Sequence, residues 1–376
     1  MAAIVRPALL LSAVMAVCQT GLAWAEYDYQ VTRDSQSPAA TGATSVAALA
    51  QPVCCGEYGE YRGTGWPGGP CQVGLDERTQ SSRPVWTIDY RVRPMFDSNT
   101  SYQFGTVPDD PDGPYAPLSK LDFALDSTWH GFQIGVEKLN WRIHFEWLTP
   151  IRQNIDGDLA DYDWNIDDPR NDPGRLDSLT LSPLRWHDGQ MLDLGAEFKL
   201  ADRLFNLPVE IWPAAGFRFQ RFDMTASGLT YLVPSIGVVP ELNGVDVITF
   251  NQQYYVGYFG GQLRTTLVAG RIPIDVRFQG DAGPTAGYNV DHHLLREGHR
   301  FTMEKTSGVA WHIALIFEAP ITRCFSLGIQ ADHTEIRTTG THRLLNVPLE
   351  HDLTWENGVA VKSDQTSLTA FVRARF

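Results

Sequence analysis

Beyond residue 25 the chain has no run of about 18 apolar residues, the length a helix needs to cross a bilayer, so a helical membrane protein is excluded. Positive charge is short as well. Against 44 Asp and Glu stand 30 Lys and Arg, and the formal charge of −14 argues against nucleic acid as a partner. Cysteine is sparse: Cys54, Cys55 and Cys71 lie in a Gly/Pro/Tyr-rich stretch and Cys324 stands alone far downstream, with no paired histidine or second Cys-x-x-Cys to suggest zinc. In an oxidising compartment one of the vicinal pair can bridge Cys71 and the other can reach Cys324. Gly-x-Ser-x-Gly, phosphate-loop and dinucleotide fingerprints are missing, which leaves a serine hydrolase only Ser182 and His187 to build on.

What the chain does have is alternation. In its last nine residues Leu368, Ala370, Val372, Ala374 and Phe376 fall on one face and Thr369, Arg373 and Arg375 on the other, the period of a strand. An alternating strand that closes on an aromatic residue fits the final strand of an outer-membrane β-barrel, apolar towards lipid and polar towards the lumen. The other end agrees. Arg6, the apolar run from Ala8 to Val17 and Ala23-Trp24-Ala25 read as a removed signal peptide over residues 1–25. Residues 26–84, rich in Ser, Ala, Thr, Gly and Pro, read as a flexible periplasmic extension, and 85–376 as the barrel.

From Val85 on, apolar alternation marks about ten strands, at 85–103, 117–137, 140–163, 187–201, 208–232, 250–268, 272–290, 299–318, 324–344 and 360–376. Short turns fall at one rim and long polar loops at the other, so the fold class is an all-β, transmembrane, antiparallel up-and-down barrel with long extracellular loops. About ten strands leave a narrow lumen that side chains fill, which disfavours a wide pore and moves function to the long-loop rim. His130, His144, His299, His312 and His333 are explained as lumen or girdle positions, and no metal is expected. Trp129, Trp141, Trp147 and Tyr254 are assigned to interfacial belts.

Two motifs fall at that rim. Asp161 and Asp163, at i and i+2, share a face, and two carboxyls held close cannot both ionise cheaply, so the pair can hold a proton and polarise a water. Asp291 and His293 share a face by the same parity while His292 points away, so a carboxylate can orient an imidazole as general base. Each motif alone reads as a solvated loop charge. Their common rim joins them: across a narrow lumen the two pairs can face each other over one water.

The chain resembles the omptins, outer-membrane endopeptidases of Gram-negative bacteria, from about Leu118 to Phe376. The likeness is carried by Leu118-Ser-Lys-Leu-Asp-Phe123, Asp161-Tyr-Asp163-Trp164, the stretch from Ala215-Gly-Phe-Arg-Phe-Gln-Arg-Phe222 through Met224-Thr-Ala-Ser-Gly-Leu-Thr-Tyr231, and Asn289-Val-Asp-His-His293. The resemblance implies a ten-stranded barrel in the bacterial outer membrane, its active site facing the exterior, that cleaves peptide or protein substrates as a monomer. It implies an aspartic-type mechanism in which Asp161 and Asp163 form the couple, His293 is the base and Asp291 orients it. It also implies lipopolysaccharide as an activating lipid on the outer wall, with Arg221 at one basic position of that site and Phe219 where an acid is expected.

The departures lie in specificity. Two acids line the omptin pocket for the side chain before the scissile bond, and the matching positions are Tyr102 and Asn289, an uncharged pocket that no longer strongly favours arginine. The family's Trp-Thr-Asp-x-Ser-x-His-Pro segment is also missing between Asn165 and His187. A non-catalytic barrel that binds a surface ligand or host matrix is therefore the competing expectation.

Overall fold

The computed structural model describes residues 84–105, 118–164, 176–233, 237–239, 242, 244–270, 272–296, 300–346 and 348–376. The expected signal peptide, nearly all of the extension, Cys54, Cys55, Cys71 and His299 lie outside the described residues.

Fourteen strands are described: β1 (Val85–Phe104), β2 (Ser119–Ala124), β3 (Thr128–Lys138), β4 (Trp141–Pro150), β5 (Asn154–Trp164), β6 (Leu176–Phe198), β7 (Glu210–Ser227), β8 (Thr230–Val233), β9 (Gly237–Val239), β10 (Asp246–Ala269), β11 (Ile272–His293), β12 (Arg300–Pro320), β13 (Phe325–Asn346) and β14 (His351–Arg375). All pairings are antiparallel, and β14 returns to β1 from Thr87↔Arg375 to Phe104↔Val359, closing the sheet into a barrel. β2 and β3 lie end to end along β1, and β4 and β5 end to end along β6. Counting each couple as one stave gives ten staves, as expected. β8 and β9 form a small flap on β6.

The second and third staves are interrupted, at 125–127 and 151–153, where continuous strands were expected. Pro150 has no amide to give a ladder and ends β4. Several strands also run further towards the long-loop rim than the apolar alternation suggested: β6 begins at Leu176, β10 at Asp246 and β14 at His351. Strands β10 to β14 have 24, 22, 21, 22 and 25 residues, about twice the 9–11 that cross a bilayer, so their outer halves stand above the apolar band. Up there the outward face carries polar side chains such as Glu335, Arg337, Lys362 and Asp364, and the period-2 contrast fades.

Parity decides what fills the barrel. On β1, Trp86, Ile88 and Tyr90 face outward while Asp89 and Arg91 are buried in the lumen. On β12, Val309, Trp311, Ile313 and Leu315 face outward against Ala310, His312, Ala314 and Ile316 inside. The lower lumen is packed with paired charges. Glu318 accepts from Arg277, from Arg373 at 2.6 Å, from Arg375 at 2.5 Å and from the Ser326 hydroxyl at 2.6 Å, and Arg373 also grips Asp89 at 2.7 Å. Arg218 joins Asp193 at 2.7 Å to Asp281 at 2.6 Å. Tyr258 reaches Asp193 with its hydroxyl at 2.8 Å because Gly195 and Gly216 leave the room that a Cβ would take. A cavity of about 100 Å³, bordered by Arg91, Arg142, His144, Glu146, Asp193 and Asp332, lies within this layer.

Above it the lumen is apolar. Trp129, Trp186 and Phe222 contact one another at 5.3–5.8 Å, and Tyr102, Phe123, Phe250 and Tyr254 continue the layer towards the rim. This corrects the belt assignment for two residues, since Trp129 and Tyr254 point inward and are fully buried. Strand-end position does not choose a face; parity does. Trp141 and Trp147 do face outward, Trp147 against Phe132.

Candidate active site at the long-loop rim

Asp161 and Asp163 stand near the end of β5 on the third stave, and Asp291 and His293 at the end of β11 on the seventh, so four of ten steps separate them around one rim. Both pairs face the lumen. Asp161 and Asp163 share parity with buried Leu159, while Tyr162 and Trp164 stack on the outer side at 5.9 Å. Asp291 shares parity with buried Asn289, while His292 turns outward and stacks on Phe301 at 4.1 Å.

Aromatic packing spans the gap beneath them. Phe250 is the cross-strand partner of Asp291, and Phe123 is paired with Leu159, two residues below Asp161. The two rings stack at 3.7 Å. The floor of the cleft is therefore one continuous aromatic contact from the stave beside Asp291 to the stave beside Asp161, completed by the edge of Tyr102 against both rings at 5.4 and 6.0 Å.

This dry floor sets the electrostatics. Burial, with repulsion from Asp163 and a smaller contribution from Asp291, raises the Asp161 carboxyl to about 7. Burial and the neighbouring Glu304 raise Asp291 to about 8, partly offset by a hydrogen bond from Thr302. Burial and the cations Arg300 and Arg296 lower His293 to about 3, so its imidazole is neutral near pH 7. Oδ1 of Asp161 and Oδ1 of Asp291 are buried without a hydrogen-bond partner among the described residues. Asp163 accepts from the Ser178 hydroxyl at 3.3 Å. Arg300 carries charge between the banks: its guanidinium interacts with Asp291, Asp161 and Asp163 together.

The expected pocket residues, Tyr102 and Asn289, are both buried in the lumen. Tyr102 accepts from Gln252 Nε2 at 2.6 Å, and the same amide reaches Tyr254 at 2.6 Å. Beside Asn289 stands a carboxyl that its own strand does not supply. Asn289 Nδ2 donates to Glu304 at 2.5 Å, and the other Glu304 oxygen lies 2.7 Å from Nδ1 of His342. The register makes this row, Asn289↔Glu304 on β12 and Glu304↔His342 on β13. Burial raises Glu304 to about 8 and lowers His342 to about 4, whose ring lies between Phe104 at 4.7 Å and Trp355 at 5.4 Å. Sequence reasoning missed Arg300, Glu304 and His342. The inward parity of Arg300-x-Thr302-x-Glu304 was a readable signal for the first two; the pairing with His342 needed the register.

Ser182 and His187 are not brought together, because Ser182 is buried inside β6 and His187 points outward, three-quarters exposed. Arg221 lies on the outer wall of β7, in ion pairs with Asp223 at 2.9 Å and Asp188 at 3.5 Å, above Phe219 packed on Tyr255 at 5.1 Å. Cys324 is at the short-turn end, between β12 and β13; its expected bridge falls on residues outside the described ones.

Among solved structures the chain is similar to the outer membrane protease OmpT from Escherichia coli, with a TM-score of 0.65 and 16% identity over 79% of this chain and 98% of that one. At that identity the likeness establishes the fold, an outer-membrane β-barrel of the OmpT kind. A Pseudomonas aeruginosa FadL homologue aligns over 78% of this chain and 90% of its own at 9% identity and a TM-score of 0.22, too low to carry an argument. No family model and no curated protein sequence matches the chain.

Proposed function

We propose that the protein is an omptin-like endopeptidase of the bacterial outer membrane, with the long-loop rim outside the cell. The observation that carries this is the aromatic bridge from Phe123 to Phe250, which draws an Asp couple and an Asp-His pair to opposite sides of one dry floor. In this reading a water lies between His293 and the Asp161/Asp163 couple. His293, neutral at pH 7, takes a proton from the water as its oxygen attacks the scissile carbonyl. Asp161, held protonated up to about pH 7, donates a hydrogen bond to the developing oxyanion. On collapse the C–N bond breaks, and His293 returns the proton to the leaving amine; Asp291, raised to about 8, stabilises the imidazolium in its ionised form, so turnover grows as it loses its proton. The reaction so written needs no metal. The Glu304–His342 pair beside Asn289 gives the substrate pocket a carboxyl after all. Arg221, outward above the Phe219–Tyr255 contact, is the basic contact proposed for lipopolysaccharide, and the barrel is proposed to act as a monomer.

The test is cleavage of a peptide library by the chain refolded with lipopolysaccharide. Asp161→Asn, Asp163→Asn and His293→Ala should each lower turnover by roughly two to four orders of magnitude. Absence of cleavage of any peptide would defeat the proposal. One observation favours a non-catalytic, ligand-binding barrel instead: Arg300 already offers a counter-charge to Asp291, Asp161 and Asp163. On that reading Arg300→Ala releases no activity and the wild type turns nothing over at any pH.

A further inference from the structure

The outer wall carries a second constellation that the proposed protease chemistry does not use. His333 and Glu335 sit at i and i+2 on β13, and Asp364, on β14, is the cross-strand partner of Glu335. All three face outward. His333 pairs with the outward Ile313, and Asp364 shares parity with the outward Leu368 and Val372. They lie directly above the apolar band: below them on β13 are Leu327, Ile329 and Ala331, and beside them on β12 is Trp311, its ring 5.0 Å from that of His333. One ligand atom from each of the three lies within 4.8 Å of the others.

Each of the three is also held by a neighbouring side chain on the same wall. His333 Nδ1 is 3.0 Å from the Thr366 hydroxyl; with the proton on Nδ1, that bond leaves the Nε2 lone pair for another partner. Arg337 Nε holds Glu335 Oε1 at 2.5 Å, and Lys362 Nζ holds Asp364 Oδ2 at 2.7 Å, so each carboxylate keeps a second oxygen. A nitrogen and two oxygen donors, each oriented by an outer partner and flanked by an indole, make a metal site with its second shell in place. Ligand atoms about an ion bound at roughly 2.0–2.2 Å stand a little over 3 Å apart, a closure within reach of χ rotations of these partly exposed side chains.

We propose that His333, Glu335 and Asp364 bind a divalent transition-metal ion, zinc by the balance of imidazole and carboxylate donors, on the outer wall at the upper edge of the apolar band. Three protein donors leave at least one coordination position open towards the surroundings. The site is independent of the cleft and stands whether or not the protein is a protease.

Calorimetric titration of the refolded full chain with Zn2+ tests it, with heat-dependent gel mobility as the check of folding. The wild type should bind one equivalent that His333→Ala, Glu335→Gln and Asp364→Asn each weaken at least tenfold and the triple variant abolishes. Thr366→Val keeps all three ligands and should weaken binding about tenfold through loss of the ring's anchor. Co2+ should give a visible d–d spectrum that is lost in His333→Ala. Failure of the wild type to bind Zn2+ at millimolar concentration would overturn the proposal. So would equal stoichiometry and affinity in the wild type and in whichever of these variants folds.

Discussion

Replacing Phe250 with alanine tests whether the dry floor of the cleft governs its chemistry. The Phe250 ring is buried, stacks on Phe123 at 3.7 Å, meets the edge of Tyr102 at 5.4 Å and lies across the strand from Asp291. Deleting a buried phenylalanine costs about 3–5 kcal/mol. The void opens beside a carboxyl whose rise to about 8 is caused first by burial. Water entering there stabilises the carboxylate, so the Asp291 pKa must fall; a drop of about 2 units corresponds to roughly 2.7 kcal/mol of recovered solvation. If ionised Asp291 is needed to hold the His293 imidazolium while Asp161 stays protonated, the acid limb of kcat/KM against pH moves towards acid, by about one unit when the Asp291 pKa falls from about 8 to about 6 and that of Asp161 stays at about 7. Urea unfolding followed by gel mobility gives the stability loss, and a pH–rate profile gives the limb. A limb unmoved within half a unit, in a variant whose unfolding midpoint has fallen, would refute the link between this floor and the site's protonation.

Other expectations follow from the same structure. Asp161, Asp291 and Glu304 have folded pKa values raised to about 7, 8 and 8, so each binds protons more readily folded than unfolded, and stability falls as pH rises from about 4 through 8. His293 and His342, lowered to about 3 and 4, act oppositely and add stability as pH rises towards about 6.5. Urea midpoints measured across pH should therefore decline from about 6 to 9, and less steeply in Glu304→Gln. In the lower lumen, Glu318→Ala strands Arg277 and deprives Arg373 and Arg375 of an acceptor, and should cost about 3–5 kcal/mol in the same unfolding assay. Planar-bilayer recordings should show no steady conductance, because the paired charges below and the Trp129, Trp186 and Phe222 layer above fill the lumen.

How far the sequence could be read depended on which face carried the signal. Within the apolar band, Leu368 to Phe376 and the run around Trp311 alternate cleanly, and the ten staves follow. Above the band that contrast is lost, so the starts of β6, β10 and β14 carry no strand signal in the sequence. Parity placed Asp161 with Asp163, and Asp291 with His293, because i and i+2 share a face in any strand. It could not join Glu304 to His342, or Phe123 to Phe250, since those contacts depend on strand register and barrel closure. The carboxyl beside Asn289 was illegible for the same reason: Glu304 comes from the neighbouring strand.

The seam between β1 and β14 bears on how such a molecule comes to exist. Its two strands are the first and last of the described ones in sequence, and Asp89 and Arg373 meet across it, both buried. Until the ring shuts, Asp89 lacks this cation and Arg373 keeps only Glu318. An open, half-inserted sheet would expose both to hydrocarbon or strand them in a wet gap, so partial intermediates are penalised and the final join acts as a latch. Assembly should then proceed as a single cooperative closure, with the ion pair forming only once the two edges have found their register.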